Sequence, residues 1–233
     1  MPASYYLKKD VFTCMAGGIC LGLDARTDRY FWLTAEQSCW LDQILRTDRP
    51  SPLTGKQLQF AGRLLDRGLI TQDLSDSRSK AAAHPPSPRY CVFDMDDDPQ
   101  AGPRWKYAPG LVLTLLRCWR PGNSRRGDLR RRLNQVRRWR ERIGTVQTAD
   151  TADIVHLTRQ FHALTPYFFS IHDACFFRSF LLVGYLARFG IQADWIFGMR
   201  LAPFGAHCWV VWKDMLLNEA LDTVAEYQPV MRV

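Results

Sequence analysis

The chain has 233 residues, 47% of them apolar and 12% aromatic, with a formal net charge of +8. That length and apolar content suit one large or two small folded domains and exclude a disordered chain. Seven cysteines, odd in number and without a CxxC pair, suggest neither a zinc site nor a disulfide framework, and no run of about 18 apolar residues offers a membrane span.

The opening residues lack the basic-then-apolar pattern of a secretory signal, so a cytoplasmic, reducing location is expected. Between residues 4 and 33, "YYLKKDVFTCMA", "ICLGLDA" and "RYFWLT" read as strands separated by "GG" and "DARTDR". "TAEQSCWLDQILR" then predicts a helix capped by Thr34, with Leu33, Trp40, Leu41, Ile44 and Leu45 near one face. A second helix follows in "LTGKQLQFAGRLLDRGLI", where Leu58, Ala61, Leu64, Leu65 and Leu69 recur at helical spacing and Gly68 marks the stop. Residues 1–80 therefore read as a winged-helix-like module of three strands and three helices. The polar, proline-rich and acidic stretch 81–103 reads as a linker.

The second domain, 104–233, is helical first and strand-like last, which makes the protein α+β. Residues 117–142 carry eleven arginines against Asp128 and Glu141, a net of +9. Leu129, Leu133, Val136 and Ile143 mark one face of that helix, so the arginines read as a solvated face. A winged helix beside such a segment also suits a DNA-binding protein. Residues 34–70, however, have a net charge of only +1, so nucleic acid is the weaker expectation.

In "SIHDACFFRSFLL" (170–182), Cys175 opens a predicted helix capped by Ser170 or Asp173. Unsatisfied N–H groups and the dipole of a first turn favour a thiolate. His207, in the strand-like "FGAHCWVVW", is the candidate base; His172, His156 and His162 are rivals, with His156 and His162 expected to be structural. A third group to orient the imidazole is sought among Asp214, Glu219 and Asp222. Asp214 suits a turn, and Glu219 suits presentation by the next strand. Strand parity sets a condition on Glu219. A two-residue loop at 213–214 would turn it away from His207, whereas a three-residue loop or a bulge would bring it round.

These residues resemble the lasso-peptide maturation proteases, the B proteins, of the transglutaminase-like branch of papain-type folds. The resemblance rests on Cys175 to Ser179, "RFGIQA" (188–193), "GMRLAPF" (198–204), "HCW" (207–209) and Asn218–Glu219, in order and spacing. It implies a papain/transglutaminase-like domain with Cys175 as nucleophile, His207 as base and Glu219 as orienting acid. The family usually has Asp at this last position, and Asp222 is the reserve. In some bacteria this protease is fused to a leader-recognition domain of the coenzyme-PQQ chaperone (PqqD) type, which residues 1–80 resemble. The implied activity is removal of the leader from a lasso precursor peptide, before a separate asparagine-synthetase-like cyclase closes the ring. Leader contact is expected at an edge strand carrying Tyr30, Phe31 and Trp32 and at Leu58 and Leu65 of the neighbouring helix. No cofactor is evident, although related fused proteases are associated with ATP. No membrane partner is expected. Acyl transfer to an amine, by the same three residues, is the alternative chemistry.

Overall fold

The computed structural model describes residues 4–46, 52–78, 87–95, 102–118, 128–144, 149–168 and 175–233. After β1 (Tyr6–Leu7), a meander of β2 (Val11–Ala16), β3 (Ile19–Asp24) and β4 (Arg29–Trp32) forms an antiparallel sheet in the order β2-β3-β4. β2 and β3 are joined by Gly17 and Gly18, whose φ angles of +55° and +78° suit a two-residue hairpin turn. β4 is left at an edge.

Pleat alternation gives this sheet two buried faces. Phe12 pairs with Leu23, Cys14 with Leu21, Leu23 with Tyr30 and Leu21 with Trp32, so these six side chains share one face. The other face carries Cys20, Gly22 and Phe31. A Cβ on Gly22 would lie 2.0 Å from the Phe31 ring, so only glycine lets that ring cross the sheet. α1 (Ala35–Leu45) and α2 (Gly55–Asp66) cover this second face, burying Leu41, Ile44, Phe60, Ala61 and Leu64 against Cys20 and Leu33. Each helix opens on a capping box, Thr34 with Gln37 and Thr54 with Gln57. α2 stops at Gly68, φ +66°.

The expected third helix is absent among the described residues. β5 (Ile70–Thr71) pairs with β1, and Leu74–Asp76 makes a single 3-10 turn capped by Asp73. Leu74 is exposed, so no apolar stripe is present to bury a longer helix.

The first face of the sheet lies on the second domain. Phe12, Leu21, Leu23 and Ala25 belong to the same apolar core as the helices and strands that follow. Arg130 also meets Asp10 at 3.5 Å across this junction. Within the stretch read as a linker, β6 (Tyr90–Cys91) is a strand of the second domain's sheet, its neighbour Val92 donating to Leu216 O at 2.9 Å.

The second domain packs α3 (Ala108–Cys118), α4 (Asp128–Ile143), α5 (Thr151–Leu164) and α6 (Cys175–Ala187) against a sheet. The strands are β7 (Asp194–Arg200), β8 (Gly205–Trp212), β9 (Met215–Leu216) and β10 (Gln228–Arg232), with α7 (Leu221–Ala225) before the last. Their order is β10-β7-β8-β9-β6, antiparallel except for β9 with β6. α6 is the central helix, with Ser179–Leu186 buried throughout. Gly184 admits Trp139 of α4, whose ring would lie 2.7 Å from an added Cβ.

α4 buries Leu129, Leu133 and Val136 as its spacing predicts. Its arginines are not all solvated. Arg132 lies 4.7 Å over the Phe180 ring, and Arg140 meets Asp194 at 2.8 Å. No described helix is long and apolar enough to cross a membrane.

Candidate active site

Cys175 is the first residue of α6, partly buried, on a helix anchored by its apolar length. The proposed caps Ser170 and Asp173, and the rival His172, lie outside the described residues. His207 is the third residue of β8, opposite Gly198 of β7. Its ring lies 5.4 Å from Tyr227 and 6.3 Å from Trp209, on the face that carries Val211. The Cys175 sulfur and the His207 imidazole face each other closely enough that each shifts the other's proton affinity.

Glu219 completes the group, with Oε1 3.3 Å from His207 Nε2. The approach is off the line of a hydrogen bond, so charge attraction links the pair. With Nε2 turned to the carboxylate, Nδ1 is the ring nitrogen left for the sulfur.

The route by which Glu219 arrives differs from the parity expectation. The loop has two residues, Lys213 and Asp214, and Trp212 pairs with Met215. A continued strand would then turn Glu219 away, but the ladder ends one bond later, where Leu217 N–H donates to Val210 O at 2.9 Å and the return bond is missing. Val210 N–H donates to Asn218 Oδ1 at 2.8 Å, and Leu217 O is taken by His162 Nε2 at 2.9 Å. Two side chains thus replace the next backbone bond, and the chain leaves the pleat before Glu219.

Other polar residues hold this arrangement, and sequence reasoning gave them no role. Arg178, one turn along α6 from Cys175, donates to Glu219 Oε1 and, at 3.0 Å, to Asn218 O. Buried Asn218 donates from Nδ2 to Ser179 Oγ at 2.9 Å, and Ser179 donates to Cys208 O at 3.1 Å. One network therefore joins the start of α6, β8 and the 217–219 segment. The sequence signal was helical spacing, since Arg178 and Ser179 lie three and four residues after Cys175 and so on its side of α6.

The electrostatics follow from these contacts. The Cys175 thiol is drawn down to about 4, first by a hydrogen bond from the Cys208 thiol and then by His207, against the opposing effect of burial. The Cys208 thiol is raised by burial and stays protonated, as its donor role requires. His207 is raised to about 9 by its bond to the sulfur and then by Glu219. Burial pushes the Glu219 carboxyl up, but His207 and Arg178 together hold it below its ordinary value. At neutral pH the group is a thiolate–imidazolium pair beside a carboxylate, an arrangement suited to nucleophilic attack on a carbonyl.

The rival histidines are occupied elsewhere. His156 Nε2 meets the Tyr107 hydroxyl at 3.2 Å, and buried His162, lowered to about 4, donates to Leu217 O. Asp222 is exposed in the first turn of α7, and Asp214 sits in the β8–β9 turn. Among the described residues no group of three His, Cys, Asp or Glu side chains could hold a metal ion.

The residues expected to meet a leader are divided by the pleat. Phe31 faces α1 and α2, whereas Tyr30 and Trp32 face the second domain. Leu58 is half exposed and Leu65 partly buried, both on α2. Phe204, which the sequence reading quoted without a role, stands beside Tyr30 and Trp32.

Neither a curated protein nor a solved structure matches the chain. Residues 117–232 match the family described as Transglut_core3, transglutaminase-like superfamily. That span begins within the last turns of α3 and includes every residue of the cysteine–histidine–glutamate group and of the network around it. Residues 117–232 are a domain of the transglutaminase-like superfamily.

Proposed function

We propose that the protein is a cysteine peptidase that removes the leader from a ribosomally made precursor peptide of the lasso type. The observation that carries this reading is the placement of Cys175 at the start of α6 beside His207 of β8, with Glu219 at 3.3 Å from the imidazole. The Cys175 thiolate attacks the scissile carbonyl, and the oxyanion forms beside the Cys175 backbone N–H at the start of α6. The C–N bond breaks as the imidazolium gives its proton to the departing amine, leaving a thioester. Neutral His207 then takes a proton from water, whose oxygen attacks the thioester; the C–S bond breaks, the leader leaves as a carboxylic acid that ionises to solvent, and the thiolate–imidazolium pair is restored. Arg178 and Asn218 keep Glu219 in place throughout.

The N-terminal sheet supports a peptide substrate, because β4 is its last strand among the described residues and the sheet lies on the second domain. An extended leader would add a strand there, with side chains set against Tyr30, Trp32 and the adjoining surface of α2. A precursor peptide encoded beside the gene, incubated with the protein and followed by mass spectrometry, tests the reading. Leader release by the wild type and none by Cys175→Ala is the expected result. No release by the wild type refutes the reading, and transfer of the leader to an added amine replaces hydrolysis by acyl transfer.

A further inference from the structure

Three large aromatic side chains remain partly exposed where β4 meets the turn that leads to His207. Trp32 is 61% exposed, Phe204 44% and Tyr30 36%. They form one cluster, with Phe204 5.5 Å from Trp32 and 6.3 Å from Tyr30 between ring centroids. Two parts of the chain build it. Tyr30 and Trp32 come from the same face of edge strand β4, and Phe204 comes from the turn that enters β8 three residues before His207. The Tyr30 phenol, pushed up chiefly by burial, also senses Asp28 and the Cys175 thiolate. An aromatic cluster left partly open to water, built from an edge strand and the turn that leads to His207, has the character of a binding surface.

We infer that Tyr30, Trp32 and Phe204 form a subsite for a large apolar side chain of the substrate, on the acyl side of the scissile bond and within two residues of it. The side of the bond rests on the peptidase reading, because a leader lies amino-terminal to the bond that is cut. The position rests on the pleat. Every second residue of a peptide added to β4 falls on the face of Tyr30 and Trp32, the face that leads to Cys175. Leucine, isoleucine or an aromatic residue fits such a wall, and glycine or aspartate gains nothing from it. Burying one such side chain selects by about 10-fold or more.

Acetyl-dipeptidyl chloromethyl ketones, with either residue varied through Gly, Asp, Leu and Phe, test this without turnover. The thiolate displaces chloride, and intact mass with peptide mapping follows the thioether at Cys175. Each rate is divided by that of iodoacetamide on the same variant. The wild type is expected to favour Leu or Phe over Gly by about 10-fold at one position. Trp32→Ala and Phe204→Ala should each shrink that ratio to about threefold or less, while Leu116→Ala, on a distant exposed face of α3, retains it. Equal ratios in the wild type, or a preference unmoved by both substitutions, overturn the subsite. A precursor left uncut while the preference survives refutes the peptidase reading and leaves the subsite standing.

Discussion

Replacing Glu219 by glutamine keeps the side chain's shape and removes its charge. Oε1 is 3.3 Å from His207 Nε2. With an effective dielectric constant of about 20, unit charges at that separation attract by about 5 kcal/mol. Two features reduce this figure. Arg178 donates to the same oxygen and neutralises part of its field. The His207 and Glu219 side chains also remain 16% and 14% exposed, so water screens them. A net loss of about 1.5–3 kcal/mol corresponds to a fall of about 1–2 units in the imidazolium pKa. The wild-type midpoint is expected at about 9. Histidine-labelled protein, titrated by NMR and assigned with a His207→Gln variant, reads both midpoints. Because the raised form is the protonated one, Glu219→Gln should lose its imidazolium at lower pH, and the alkaline limb of activity should move down with it. An unmoved midpoint would refute the claim that this carboxylate holds the imidazole proton.

The pH profile of leader release should be a bell, falling as the sulfur protonates near pH 4 and again as the imidazolium deprotonates near pH 9. Asn218→Ala removes the acceptor of the buried Val210 N–H and the donor to Ser179. Urea unfolding should show a loss of about 3 kcal/mol, and an unchanged midpoint would argue against the network. Deleting residues 1–78 should leave the remainder aggregated or molten by near-UV circular dichroism, because it strips Phe12, Leu21 and Leu23 from the shared core. A well-folded, alkylation-competent remainder would contradict that.

The pairing of Cys175 with His207 was legible because a helix start and a strand face are local properties, readable from spacing. Glu219 was legible as a candidate, but its path was not. Parity presumes a continuous ladder, and Asn218 and His162 end this one by taking backbone partners with side chains. β6 was hidden for a similar reason. Two residues in a proline- and aspartate-rich stretch become a strand only because β9 lies beside them. The packing of the N-terminal sheet against the second domain was not drawn from the sequence, although β2 and β3 carry apolar residues on both faces. Phe12 and Leu21 point one way and Val11 and Cys20 the other, a pattern of two-sided burial.

That two-sided sheet limits how this protein can be re-engineered. Exchanging residues 4–78 for a homologous cassette would also exchange a wall of the second domain's core. A chimera would need Phe12, Leu21, Leu23 and their partners grafted together as one jigsaw. Point changes at the exposed Trp32 leave Phe12, Leu21 and Leu23 in place and are the more promising route.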